Sequence, residues 1–248
     1  MTTTKAEAIR RLEAEAHVTE PGQEVEIGRL RPEDAPGVAR LFFAVYGGDY
    51  PVDVPYVPEL LARANEDGSM CSTVARTPKG DVVGHVALLR SAAPNPRLFE
   101  LGQGAVLPSY RGASIQTRLQ ELVVRTLGPT LPIDGVFGEA VTNRTTTQKL
   151  AIGLGFGETG IELDLMAEGS FAREGEPGRV TTVLVTLTYR DLPQDLHVPA
   201  CYREALAYAL SDLPIVRTLV DSAAPAPARS RTAVDIAAWP SASVLRAN

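Results

Sequence analysis

The chain has 248 residues, 44% of them hydrophobic and 22% charged, which is enough apolar material for a full core and excludes disorder throughout. A formal net charge of −6, with no run of lysine or arginine, argues against a general nucleic-acid surface and against an anionic-membrane surface. Two cysteines, Cys71 and Cys201, allow at most one bridge and show no metal-ligand spacing; no apolar run approaches a membrane span, so a soluble, cytoplasmic protein without a metal is expected.

Residues 1–22 read as a charged helix ending before Pro21-Gly22, with no chemistry assigned to it. Val25, Ile27 and Leu30 alternate as a first strand, and Asp34 then stands where it would cap a helix with the apolar face Val38, Leu41, Phe42 and Val45. In the following loop Tyr46, Tyr50 and Tyr56 are interleaved with prolines and glycines, ahead of a short helix near residues 59–64; such a loop is stiff, and aromatic where it covers something. Residues 71–76 and 82–90 predict two strands, joined as a hairpin by Thr77-Pro78-Lys79-Gly80-Asp81. His85, inside the second, is either a hydrogen-bonded sheet residue or, if its ring faces a cleft, a base.

The stretch LFELGQGAVLPSYRGASIQTRLQELVVRTL, residues 98–127, organises the rest. Phe99, Leu101 and Ala105 to Leu107 form a half-buried strand pattern that stops at Pro108. Ile115, Leu119, Leu122 and Val123 recur at i, i+4, i+7 and i+8 as the stripe of a helix, with Ser114 at its N-cap. The turn between them delivers a helix start, with its unpaired N–H groups, to a strand tip, which makes an anion site. Gly102 and Gly104 predict a bulge near Ala105 or Val106, or a close approach; without a bulge, period 2 puts Glu100 on one side with Gly102, Gly104 and Val106.

Residues 133–141 predict a parallel strand ended by Asn143, and residues 145–154 a helix closed by Gly155. An antiparallel pair is expected at 161–167 and 180–189, then a helix over 198–213, a linker Ala223-Ala-Pro-Ala-Pro-Ala and a short strand around 234–237. The chain thus divides into a charged segment 1–22, a domain 23–190 and a C-terminal extension 191–248.

The strand, V-x-P-x-Y-R-G and helix resemble the acyl-CoA-binding segment of the GNAT superfamily of N-acyltransferases, and the order of elements resembles it over roughly residues 24–190. The resemblance implies an α/β fold: a central mixed, mostly antiparallel sheet with a splayed parallel strand pair, flanking helices and a C-terminal helical appendage. It implies acyl-CoA as donor, held by Val106, Leu107, Arg111, Gly112, Ala113, Ser114, Ile115 and Gln116, and by Asn143 of a second motif, V-T-N…L-G-F. In the family pattern R-x-x-G-x-G/A, Arg111 matches, whereas Ser114 and Gln116 stand where small residues are usual. The family's general-acid tyrosine is Ala151 here, which an alkyl thiol tolerates: with a pKa of about 8.5 it can leave as thiolate.

By the same resemblance Glu100 is the base that deprotonates the amine, or else a partner for Arg97, with Glu139 in reserve. Tyr46, Tyr50 and Tyr56 cover the acceptor side or simply pack the loop. The expected reaction is N-acyl transfer to a small-molecule or peptide amine. One alternative donor is phosphopantetheine on an acyl carrier protein, which brings no pyrophosphate for Ser114 and Gln116 to crowd; another reading is a non-catalytic module that senses acyl-CoA or docks a partner. A homodimer is among the expected assemblies.

Overall fold

The computed structural model describes residues 3–91, 95–166, 168–169, 178–211, 213–222, 236–239 and 244–247. Seven strands make one sheet: β1 (Glu26–Arg29), β2 (Met70–Arg76), β3 (Val82–Leu89), β4 (Leu98–Val106), β5 (Gly135–Val141), β6 (Gly157–Met166) and β7 (Val180–Thr188), in the order β1-β2-β3-β4-β5-β7-β6. Every neighbouring pair is antiparallel except β4 and β5. The mixed, mostly antiparallel sheet that the resemblance implies is therefore present, with its single parallel pair at the centre.

That pair is joined only at its root, by Leu98↔Gly135, Phe99↔Val136 and Glu100↔Phe137, after which the two strands part. The root is clasped by charge. Asp134 accepts from Arg97 (Nε 2.7 Å, Nη2 2.9 Å) and from Arg190 (Nε 2.8 Å), and its backbone N–H donates to the Arg97 carbonyl. Arg97, then Arg190, hold the Asp134 carboxyl below the usual carboxylate range.

Helices α1 (Lys5–Ala14), α2 (Ala35–Tyr46) and α3 (Pro58–Glu66) cover one face of the sheet, where Val38, Leu41, Phe42 and Leu61 pack on Val74 and Ala87. On the other face, α4 (Ile115–Glu121) and α5 (Thr145–Leu154) bury Ile115, Leu119 and Leu154 with Leu88 and Phe99. The helix predicted as far as Leu127 loosens into a π-helical stretch over Leu122–Leu127. There the Tyr189 hydroxyl donates to the Val124 carbonyl (2.6 Å), and a Cβ on Gly128 would run into that hydroxyl, so a larger residue there would push Tyr189 off this bond.

Other boundaries differ from the sequence expectation for identifiable reasons. The N-terminal helix covers only Lys5–Ala14, started by a capping box of Thr4 and Glu7. Asp34 precedes α2 but its side chain does not cap it: it accepts from the Arg31 N–H (2.6 Å) and from buried Arg76 (Nε 2.6 Å). Val198, expected to open a helix, instead ends β8 (Gln194–Val198), which runs parallel to β9 (Arg217–Asp221) across the shorter helix α6 (Arg203–Leu210). Strands β10 (Ile236–Trp239) and β11 (Val244–Ala247) pair antiparallel; the proposed linker at 223–228 and Val234 of the expected last strand lie outside the described residues.

Candidate active site

The site grows from an irregularity in β4. Along β3, Gly84 pairs with Val106 and His85 with Ala105, but Ala87 pairs with Gly102, so Gln103 and Gly104 together face Val86. The extra residue is a bulge, with Gln103 in the left-handed region at φ 51°. It lies slightly earlier than the sequence pattern suggested, and the shift changes which side chains share a face. A Cβ on Gly102 would lie 2.8 Å from Glu100 Oε1 and 3.4 Å from Leu89, on the α2 face, whereas one on Gly104 would lie 2.9 Å from Gln116 Nε2, on the α4 face. Glu100 and Gly104 thus look to opposite sides of the sheet, and each glycine leaves room for the polar side chain above it.

Because β5 has already diverged, the bulge borders a gap. A cleft of ≈ 690 Å³ occupies it, within the usual size of ligand sites, and reaches both faces. On the α4 side its walls include Gly104, Val106, Arg111, Gly112, Ser114, Ile115 and Gln116. On the tyrosine side they include Tyr46, Tyr50, Glu100 and Glu139.

The α4 wall is a backbone cradle. Gly112 has φ 90° and Ser114 φ 56°, and Ser114 makes no side-chain cap bond to the helix it precedes. The expected N-cap is therefore not formed, and the hydroxyl does not occupy the helix N–H groups. A left-handed conformation costs a non-glycine residue about 1–2 kcal/mol. Among the described non-glycine residues only Gln103, Ser114 and Asp164 adopt positive φ, and the first two line the cleft, where strain of this kind tends to collect. Arg111 Nε donates to the Val106 carbonyl (3.3 Å), and Arg144, just before α5, lines the opposite wall. Arg144 was not anticipated; a basic residue directly after the Asn143 that ends a strand was the available signal.

The tyrosine wall is built from side chains brought together across long stretches of sequence. The Tyr46 hydroxyl donates to the Gly104 carbonyl at 3.1 Å. Tyr50 stacks against Tyr46 at 4.9 Å between ring centroids and meets Phe42 edge-on at 5.1 Å. Burial, then the neighbouring Tyr46, Glu100, Tyr56 and Glu139, push the Tyr50 phenol well above its ordinary range, so both carboxyls and the phenol share one space. Lys5 of α1 secures the loop from outside: its Nζ donates to the Tyr50 carbonyl (2.6 Å) and sits 5.0 Å from the Tyr56 ring.

Five candidates lie off the cleft wall. Tyr56 is fully buried, with its hydroxyl on the Gly47 carbonyl (2.7 Å). His85 is also fully buried, edge-on to Phe42 at 5.7 Å, with Nδ1 2.8 Å from the Gln103 carbonyl. A carbonyl only accepts, so Nδ1 carries the proton, and burial lowers the His85 pKa to about 4. Leu107 donates its N–H to the Val83 carbonyl and lines a separate cavity of ≈ 280 Å³ beside α1 and α2. Ala113 is exposed on the turn, and Asn143 Oδ1 is buried without a hydrogen bond. Ala151 is buried in the core. Among the described residues no three His, Cys, Asp or Glu are grouped to hold a metal, and no helix is long and apolar enough to cross a membrane.

No family model matches this sequence, and no curated protein sequence matches it. Solved structures do match. The N-acetyltransferase of Staphylococcus aureus superposes with a TM-score of 0.54 at 13% identity, over 68% of this chain and 100% of that one. YncA, an acetyltransferase of Salmonella typhimurium solved with its cofactor acetyl-CoA, gives 0.54 at 13% identity over 72% and 100%. Mutant forms of the spermidine/spermine N-acetyltransferase of Vibrio cholerae give 0.51 at 14% over 67% and 95%. With its splayed parallel pair, bulged central strand and cradle before α4, this chain has the fold of the GNAT acetyltransferases.

Proposed function

We propose that this chain is an N-acyltransferase that moves an acyl group from the pantetheine thioester of acyl-CoA to the amine of a small molecule or peptide. The observation that carries the reading is one cleft with two unlike ends, a cradle with Arg111 and Arg144 on one side of the sheet and Glu100 beside Tyr50 on the other, connected where β4 and β5 part. The cradle and the two guanidinium groups suit a pyrophosphate, and the gap suits an extended pantetheine arm. YncA, solved with acetyl-CoA, supports that choice of donor.

In this reading Glu100 takes a proton from the acceptor ammonium, directly or through water, and the amine attacks the thioester carbonyl. The C–N bond forms, charge gathers on the carbonyl oxygen beside the bulge, and the C–S bond breaks. With alanine at 151 the thiolate leaves unassisted, and the second proton that the nitrogen sheds as the amide forms passes through solvent to the thiolate, as a thiol pKa of about 8.5 permits. Glu139, which also lines the cleft, is the reserve base. Both described cysteines are unpaired, consistent with reaction in the cytoplasm. Thiol release from acetyl-CoA with a panel of amines, compared with Glu100→Gln, tests the assignment: release that falls about 100-fold or more in the variant supports it, and no release with any amine contradicts it.

One observation favours a second donor. The Gln116 carboxamide lies against Gly104, at the position where the related motif keeps a small residue, and narrows the cradle end of the cleft. Phosphopantetheine on a carrier protein needs only the pantetheine half of that path. Titration with acyl-CoA and with an acylated carrier separates the two, since tight acyl-CoA binding removes the reason to invoke a carrier.

A further inference from the structure

We propose that His85 and Tyr46 are positioning residues for acyl transfer: from the α2 face His85 holds the peptide unit that carries the Gly104 N–H and Tyr46 holds the unit that follows it, and together they aim that N–H at the thioester oxygen. The inference rests on the acyl-transfer reading above and adds to it the groups that fix the bulge. His85 Nδ1 donates to the Gln103 carbonyl at 2.8 Å, and the Tyr46 hydroxyl donates to the Gly104 carbonyl at 3.1 Å. These are the two residues that together oppose Val86.

A trans peptide is planar, with its N–H directed opposite to its C=O. The Gln103 carbonyl is drawn toward the His85 ring, among the aromatic residues of α2, so the Gly104 N–H of the same peptide unit points the other way. That is the side on which Gln116 lies over Gly104. Gly104 is exposed in the cleft, whereas Gln103 and Ala105 on either side of it are buried, so of the three it is the residue that a ligand can reach.

Both anchors belong to one aromatic cluster, since the Phe42 ring lies 5.7 Å from Tyr46 and 5.7 Å from His85. Burial keeps His85 neutral down to a pH of about 4, so its Nδ1–H stays a donor throughout the range in which an amine acyltransferase works. Neither side chain touches the reacting atoms; each acts through the backbone.

Tyr46→Phe, His85→Leu and His85→Asn test the proposal, the last retaining an amide N–H near the position of Nδ1. The expected result is a fall in kcat of about 10-fold or more for Tyr46→Phe and His85→Leu, with the acetyl-CoA Kd unchanged and most of the activity regained in His85→Asn; the donors aimed at an oxyanion carry large effects on kcat. The Gly104 amide resonance, followed by 1H–15N NMR, should move when acetyl-CoA binds the wild-type chain and move much less in Tyr46→Phe, a readout independent of turnover in a spectrum whose remaining resonances report that the variant is folded. Wild-type turnover with both Tyr46→Phe and His85→Leu equal to it, or an unaltered Gly104 response in Tyr46→Phe, overturns this proposal alone. A wild-type chain that neither binds acetyl-CoA nor releases thiol overturns the acyl-transfer reading and this proposal with it.

Discussion

The two ends of the cleft are made in different ways. The cradle before α4 is local: residues 108–116 fold it themselves, with positive φ at Gly112 and Ser114 and an arginine bonded back to the strand five residues earlier. The tyrosine wall is assembled from afar, by hydrogen bonds that span 58 residues from Tyr46 to Gly104 and 45 from Lys5 to Tyr50. A local cradle can grip a donor part that does not vary, while a wall of packed side chains from several elements can be changed one residue at a time. On the acyl-transfer reading proposed above, specificity for the acceptor would belong to the wall.

Substitutions should separate the ends. The largest effect is expected from Gly104→Val, whose Cβ would strike the Gln116 amide at 2.9 Å and whose branch would enter the gap; thiol release should fall by about 100-fold or more, measured beside an unchanged melting temperature. On the cradle, Arg111→Gln should weaken acetyl-CoA binding by about 10- to 100-fold, the worth of a charge-assisted hydrogen bond, without altering binding of an amine alone, as calorimetry can read.

His85 gives a pH signature that belongs to the wall. Its folded-state pKa, about 4, is depressed below the unfolded value of about 6.5, so the unfolded chain takes up the proton first. The His85 contribution to stability should be level above about pH 7 and decline by about 3 kcal/mol as the pH falls toward 4. Urea unfolding at pH 7 and pH 4.5 checks this, because His85→Asn should lose that share of the decline. The smallest effect is expected from Lys5→Met, which removes the bond to the Tyr50 carbonyl and the contact with the Tyr56 ring: a severalfold rise in KM for the amine with the donor KM unchanged, about 1 kcal/mol of positioning.

The same contrast decides what could be read from the residues. The strand, turn and helix around Arg111 were legible because they are contiguous, with a 3.6-residue stripe and two glycines inside a strand. Whether Glu100 shares a face with Gly104 was not, because a bulge reverses the parity of the residues that follow it, and its placement before or after Gly104 decides the matter. Strands β8 and β9 escaped because each is five residues of mixed polarity whose partner lies beyond a helix. His85 illustrates the limit most sharply: a histidine in a strand is compatible with catalysis or with structure, and only the Gln103 carbonyl, 18 residues away, shows what its ring holds.

A crystal structure of the acetyl-CoA complex would decide whether the parted strands hold the donor. The pyrophosphate should lie against residues 111–114, the thioester oxygen within hydrogen-bond distance of the Gly104 N–H, and Glu100 should face the acyl carbon from the far side of the parted strands. Acetyl-CoA bound outside the gap between β4 and β5, or with its thioester out of reach of both Gly104 and Glu100, would contradict it.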